Sequence, residues 1–339
     1  MNYRLLTLLF TIGFLLLSTV VRANDSGWRA YHTNAAALSR TGDLGEAYQQ
    51  AKTALNLART KYGPDHLNTA KSLEQLGEIC AGWGRLQQAD LFLNGALRLR
   101  KKIHGDSHPS VIKLLVRMAD CHRLHRDLDK AEKLYRQALD LVTKGSWGEC
   151  YAGPALEGMA RLHSDQGAYS RAEPLYEQAI DIFAKGGKYR PAEKLSHARC
   201  LIGLGDVKWA KRELSQAREA YEAALVKYSE VSGHASPMTA YAYKRLADLY
   251  ALRGVLSVAL TYFHRALGAY ERTGLPEGAF TAATLAGMAD VLKSQGRTAK
   301  ATECYNSAVA IYERTGGLNR ELATTALTKE KIWPSLSQR

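Results

Sequence analysis

The sequence carries no nucleophile elbow, no phosphate-cradling glycine loop and no paired ligand spacing of a zinc site. No isolated segment is large enough to hide a catalytic domain, so neither catalysis nor a cofactor is expected. Cysteine is scarce. Cys80, Cys121, Cys150, Cys200 and Cys304 are odd in number and widely scattered, which excludes the dense disulfide framework of a small secreted scaffold. Low-complexity blocks are absent, so most of the chain should fold. Acidic residues are fewer than basic ones, 33 against 46, for a formal charge of +13. Such a surface attracts anionic partners such as acidic peptides, lipid headgroups, polysaccharides or nucleic acid, without choosing among them.

Long apolar runs are missing everywhere except at the start. After Arg4, residues Leu5 to Val21 are uncharged and mostly Leu, Phe, Ile and Val, and Val21-Arg22-Ala23 puts small residues where a signal peptidase inspects the chain. Residues 1–23 are therefore expected to be a cleaved signal, and the protein to be exported, either periplasmic or secreted. The alternative is a membrane tether formed by residues 5–21. Against it, Arg22, Arg29 and Arg40 beyond the run outnumber Arg4 before it, contrary to the positive-inside tendency. Membrane contact is expected only if the segment is retained, and export makes nucleic acid the least expected partner.

What the chain does have is a repeat. Ala47, Ala89, Ala131, Ala172, Ala217, Ala259 and Ala301 follow one another at intervals of 42, 42, 41, 45, 42 and 42 residues. Seven residues beyond each comes a second alanine, from Ala54 to Ala308. An interval this regular signals an array whose core is made by stacking neighbours. Within the sixth repeat, Tyr243, Leu246, Ala247 and Tyr250 recur at helical spacing, Arg253-Gly254 interrupts, and Leu256, Ala259, Phe263 and Ala266 restart the pattern. The direct reading is two amphipathic helices joined by a tight turn. Each first helix carries one small residue (Ala35, Gly77, Ala119, Ala160, Gly205, Ala247, Ala289), and each second helix from the second repeat onward a large one (Leu93, Tyr135, Tyr176, Tyr221, Phe263, Tyr305). Glycine closes the first helix in five repeats. Arg126 and Arg212 replace it in the third and fifth, where the turn should be strained or differently shaped.

These features, illustrated by Gly167-Ala168-Tyr169-Ser170-Arg171-Ala172-Glu173-Pro174-Leu175-Tyr176-Glu177-Gln178-Ala179-Ile180, resemble the tetratricopeptide repeat family. The match is to its 42-residue version, found in kinesin light chains and many bacterial arrays. The connectors Tyr62-Gly63-Pro64-Asp65-His66 and His104-Gly105-Asp106-Ser107-His108-Pro109 are similar to the links of that version. The resemblance implies an all-α fold, a right-handed α-α superhelix of about seven helix-turn-helix repeats whose first helices line a concave groove. It also implies a non-catalytic scaffold that binds another protein or a peptide. The array is expected over residues 24–317, followed by a capping helix and tail over 318–339, with Asn319 to Ile332 helical. The glycine-rich connectors at 144–150 and 185–191 mark either a hinge or a drifted repeat. Oligomeric state is not legible.

On the implied groove, one position carries Glu78, Asp120, Asp206, Asp248 and Asp290, interrupted by Arg161, and seven residues earlier stand Arg29, Lys71, Lys113 and Arg199. An acidic and a basic row of this kind would grip a polar or mixed-charge segment. The plain alternative is a solvated face with local pairs such as Lys244 with Asp248. Trp209 and Tyr241 are candidate aromatic anchors on the same face. Cys80, His122 and His163 share one position, but packing explains them better than a metal. A second function class is a surface polyanion binder using Arg98, Arg100, Lys101, Lys102 and His104, and a third is an enzyme of unrecognised type.

Overall fold

The computed structural model describes residues 27–145, 148–186, 191–273 and 278–315. The expected leader and capping helix lie outside them, as does part of each glycine-rich connector. The described residues are helical and contain no strand. The helices are α1 (27–41), α2 (Leu44–Tyr62), α3 (Leu67–Gly82), α4 (Leu86–His104), α5 (Pro109–Leu124), α6 (Leu128–Lys144) and α7 (Gly153–Asp165). They continue as α8 (Tyr169–Gly186), α9 (Pro191–Ala210), α10 (Leu214–Ser232), α11 (Pro237–Leu252), α12 (Leu256–Arg272), α13 (Ala279–Ser294) and α14 (Thr298–Thr315). None of them is long and apolar enough to cross a membrane. Odd-numbered helices are the first and even-numbered helices the second of each repeat.

The chain divides into two compact units, residues 1–162 and 163–339. In unit 1, α2 packs on α3, α3 on α4, α4 on α5 and α5 on α6. In unit 2 the same holds from α8 through to α14, with α11 also touching α13. Contacts of this local kind are what a stack of repeats makes.

Shape at the helix interfaces follows from the repeated small residues. The key alanines of the second helices are fully or almost fully buried from Ala47 to Ala301, and the side chains beside them at Leu93, Tyr135, Tyr221, Phe263 and Tyr305 are covered too. Burying a large apolar side chain contributes about 1.5–3 kcal/mol. The partner helix makes room by having almost no side chain. A methyl group at Gly77 would lie 2.5 Å from Leu93 Cγ, and one at Gly205 would lie 2.4 Å from the Tyr221 ring. Both separations are shorter than atoms tolerate in a close-packed interior.

The turn inside each pair is held by one backbone bond that recurs seven times. The amides of Asp43, Arg85, Asp127, Ala168, Glu213, Val255 and Arg297 donate to the carbonyls of Leu38, Cys80, His122, His163, Lys208, Tyr250 and Leu292 at 2.8–3.1 Å. This bond satisfies an otherwise orphaned carbonyl and needs one residue in the left-handed region. Gly42, Gly84, Gly167, Gly254 and Gly296 supply it, with φ between 72° and 89°. Arg126 and Arg212 adopt the same conformation at φ 65° and 66°. Those two turns keep the common shape, and the arginines carry the strain of a Cβ in that region.

The connectors between repeats are caps. His66 Nδ1 accepts from the Asn68 amide at 3.1 Å, His108 Nδ1 from the Ser110 amide at 3.2 Å, and Ser236 Oγ from the Thr239 amide at 3.1 Å. Pro109 and Pro237 then begin their helices, where a missing N–H costs nothing. The histidines of the two sequence connectors are thus cap residues. Each also stacks on an aromatic ring, His66 on Tyr62 at 4.8 Å and His108 on His104 at 4.4 Å.

Candidate functional site

The acidic row lies on α3, α5, α9, α11 and α13, and most of it is engaged from inside. The hydroxyl of Tyr135 donates to Asp120 Oδ1 at 2.7 Å, that of Tyr221 to Asp206 Oδ1 at 2.6 Å, and that of Tyr305 to Asp290 Oδ1. Burial first, then the aspartate, pushes all three phenols well above their usual range, so they remain donors at any ordinary pH. Where the second helix has no hydroxyl to offer, at Leu93 and Phe263, the acid takes a cation instead. Arg117 Nη1 donates to Glu78 Oε1 at 2.6 Å, and Lys244 Nζ to Asp248 Oδ2 at 2.7 Å.

In unit 2 the row becomes a network. Arg245 of α11 donates through Nε to Asp206 Oδ1 at 2.8 Å and through Nη2 to the same oxygen and to the Tyr221 hydroxyl at 3.2 Å, with Nη1 3.8 Å from Asp248. Its guanidinium also lies 5.3 Å from the Trp209 ring centre. Trp209 is half-buried, packed on the core of its own repeat and tilted against Tyr221 at 6.4 Å. It is therefore part wall of the network and part core. Arg117 stands in unit 1 where Arg245 stands in unit 2, and each reaches the acid of the preceding repeat. At the same position Gly158, Gly203 and Gly287 instead lie against the rings of Tyr135, Tyr176 and Phe263, which leave no space for a side chain.

The basic row is different. Lys71 and Lys113 are exposed and pair with no carboxylate among the described residues. Lys113 Nζ hangs 5.6 Å from the Tyr151 ring centre. Beside it, Glu74, Arg100, His108, Ser110 and Arg117 help to line a cleft of about 320 Å³ between α3 and α5. Arg100 is held in that cleft by a bidentate pair with Glu74, one arm at 2.8 Å. Burial first, then His104 and Arg100, keeps the His108 imidazole below its usual range, so it adds no charge near neutrality. Arg161 is exposed on α7, and Arg199 on α9 donates to Ser196 at 2.9 Å. At the corresponding place α11 carries Tyr241, which meets Phe280 of α13 edge-on at 5.8 Å.

Three members of the candidate polyanion cluster are occupied, Arg100 by Glu74, Lys101 by Asp106 at 3.4 Å and Lys102 by Asp65. Cys80, His122 and His163 are buried, and among the described residues no three His, Cys, Asp or Glu side chains are placed to hold a metal ion. The five cysteines are free thiols in this structure.

Sequence reasoning missed Arg117 and Arg245. The signal was present as a spacing of 39 residues from Glu78 to Arg117 and from Asp206 to Arg245. It missed the tyrosine clamps as well, although aspartate and tyrosine stand 15 residues apart in three repeats.

Family profiles described as tetratricopeptide repeat match residues 29–102, 92–144, 196–272 and 238–314, and a further one matches 155–182, together well over half of the chain. The chain belongs to the tetratricopeptide repeat family. The Arabidopsis thaliana protein "kinesin light chain-related 1" is 23% identical over 238 residues, which are 70% of this chain and 38% of that protein. The chain therefore matches well under half of that relative's length. Among solved structures, BtubC (BKLC) from P. vanneervenii is similar with a TM-score of 0.57 at 24% identity, over 66% of this chain and 88% of that one. A Rap protein complexed with competence and sporulation factor is similar with a TM-score of 0.55 at 14% identity, over 84% and 77% of the two chains. At such identities the likeness is one of fold. Members of the family are protein-interaction scaffolds and are in general not catalysts.

Proposed function

We propose that the protein is a non-catalytic scaffold that binds an extended, acid-bearing segment of another protein along the first-helix face of unit 1. One observation carries the reading. The carboxylates of that face are largely satisfied by tyrosines and arginines of the same chain, whereas Lys71 and Lys113 pair with no carboxylate among the described residues. Charge still to be met on this face is therefore positive, and a partner meets it by supplying carboxylates, as hydrogen-bonded charge pairs do in a desolvated groove. The cleft beside Lys113 gives such a side chain somewhere to enter.

The reading extends to location on sequence alone. The protein acts outside the cytoplasm after removal of residues 1–23, and N-terminal sequencing of the mature form should begin at Asn24. Recovery of the chain from a membrane fraction with Met1 in place would replace export with a tether.

For the binding itself, crosslinking of the mature protein identifies the partner segment, whose affinity is then measured by fluorescence anisotropy against Lys71→Glu/Lys113→Glu. Reversal of two charges that touch the segment should weaken it by at least about tenfold, since a charge-assisted bond contributes about 1.5–3 kcal/mol. An unchanged Kd with normal ellipticity would remove the basic row from the site.

A further inference from the structure

On each second helix the residue after the key alanine stands at the joint with the turn of the following repeat, and the joints differ in chemistry. Between repeats 1 and 2, Tyr48 lies edge-on to Trp83, 35 residues further along, with ring centres 6.2 Å apart. Between repeats 2 and 3, Asp90 Oδ1 lies 2.8 Å from His122 Nε2, and Lys130 holds the other oxygen. Between repeats 4 and 5, Glu173 accepts from Lys208 and, at 2.6 Å, from Lys211, while Glu213 in the turn faces the same two ammonium groups at 2.9 and 3.0 Å. A ring at this place is thus met by a ring, and an acid by cations of the next repeat.

Between repeats 5 and 6 the place belongs to Arg218, and no acid answers it. Where Lys208, Lys211 and Glu213 stand in the preceding joint, this one has Tyr250, Arg253 and Val255. Arg253 follows Arg218 by the same 35 residues that separate Tyr48 from Trp83. The two turns of unit 2 share one shape, since the Glu213 and Val255 amides each donate to the carbonyl five residues back at 2.9 Å. The helices α10 and α11 pack together, and Tyr250 lies on the core that holds Ala217, the neighbour of Arg218. This register sets two guanidinium groups and a phenol on one joint.

Neither arginine pairs with a carboxylate among the described residues, although Glu222 stands one turn beyond Arg218. The Nε–H of half-buried Arg218 is covered and has no acceptor. A buried donor left in that state is costly, and like charges that share a joint repel. An anion relieves both. A guanidinium presents parallel N–H donors that match the oxygens of a carboxylate or phosphate, and a tyrosine hydroxyl can add a third donor.

We propose that Arg218, Tyr250 and Arg253 form a binding site for a doubly charged oxyanion, a phosphate or sulfate group. Two guanidinium charges with no acid between them call for an anion of that charge. The site lies in unit 2, uses none of the first-helix lysines, and stands or falls independently of the acid-bearing segment.

Titration of the mature chain with inorganic phosphate at constant ionic strength, followed through the arginine Nε–H resonances, tests this. The Arg218 and Arg253 signals should shift together and saturate, and sodium chloride should not reproduce the shift. Arg253→Gln should weaken the binding by about tenfold, the effect of losing one charge-assisted bond. Arg218→Glu installs the acid of the preceding joint, so it should abolish the binding and melt no lower than wild type in chloride. Sulfate should raise the Tm of wild type more than that of Arg218→Glu, because its general effect on burial is common to both. Methyl phosphate separates the sources: binding equal to that of the inorganic ion assigns the site to a phosphate group carried on a larger molecule, and no binding assigns it to the free ion. Arginine signals that ignore phosphate, or that move equally with chloride, would overturn the proposal. Unchanged affinity in Arg253→Gln would do the same, and if Arg218→Glu does not fold, that variant and the wild-type titration decide.

Discussion

At one place on the first helix, unit 1 presents Lys71 and Lys113, while unit 2 presents Arg199, which bonds Ser196, and Tyr241, with Phe280 seated against it and 60% exposed. One unit shows ammonium groups without a carboxylate partner among the described residues, beside a charged cleft, and the other an aromatic edge beside an arginine already engaged by Asp206. Beneath this surface the two units are built alike. A small residue faces a large buried one, an aspartate accepts from a tyrosine hydroxyl, and an arginine reaches back to the acid of the previous repeat. The difference teaches that in this array the buried positions carry the shape and only a few surface positions carry the chemistry. A change at a buried position should therefore cost similar energy in either unit, whereas a change at a surface position should matter to one partner and hardly at all to stability.

The largest effect should come from removing a core ring. Tyr135→Ala and Tyr221→Ala should each destabilise by about 3–5 kcal/mol in urea unfolding followed by ellipticity. Values differing severalfold between the two would break the equivalence of the units. Next in size, Gly205→Ala forces a methyl group into the rigid Tyr221 ring and should cost about 1–3 kcal/mol. Gly77→Ala meets the more adaptable Leu93 and should cost less. Equal losses would show that ring rigidity is irrelevant at this contact.

Smaller still is the hydroxyl clamp. Tyr305→Phe should lose about 1 kcal/mol by leaving Asp290 short of a donor. Phe263→Tyr, which offers Asp248 the hydroxyl that the sixth repeat lacks, should cost nothing measurable or stabilise slightly. A loss comparable with that of Tyr305→Phe would mean that the sixth repeat has no room for the clamp. The smallest change expected is a gain. Arg126→Gly relieves a left-handed Cβ and should raise stability by about 0.5–1 kcal/mol, detectable as a shift in Tm. Any decrease would show that the Arg126 side chain makes a contribution larger than its strain.

Much of this architecture was legible in advance because the residues that shape it are small and periodic. The spacing of Ala47 to Ala301 locates the second helices, the glycines locate the turns, and the large residues opposite Gly77 and Gly205 locate the interfaces. The charged side chains were harder. Asp120, Asp206 and Asp290 have the pattern of a solvent-facing row, and nothing in a one-dimensional pattern says that a tyrosine 15 residues later will reach back to them. Lys244 was assigned to the face and its neighbour Arg245 was not, although Arg245 makes the bond between repeats. Long side chains choose partners through rotamers and through helices stacked beside them, and neither is written in the spacing. Trp209 shows the same limit, since it lies partly on the face and partly in the core.

The backbone bond that closes every turn has a consequence for how freely the chain can change. Because the carbonyl at that place is always taken by the same amide, the backbone closes the turn whichever side chain is attached there. In seven copies it is Leu38, Cys80, His122, His163, Lys208, Tyr250 and Leu292, which span apolar, thiol, imidazole, ammonium and phenol. The same turn therefore forms with any of these side chains in place, and in two repeats the side chain reaches the second helix of the preceding repeat. New couplings between repeats can therefore arise there one residue at a time.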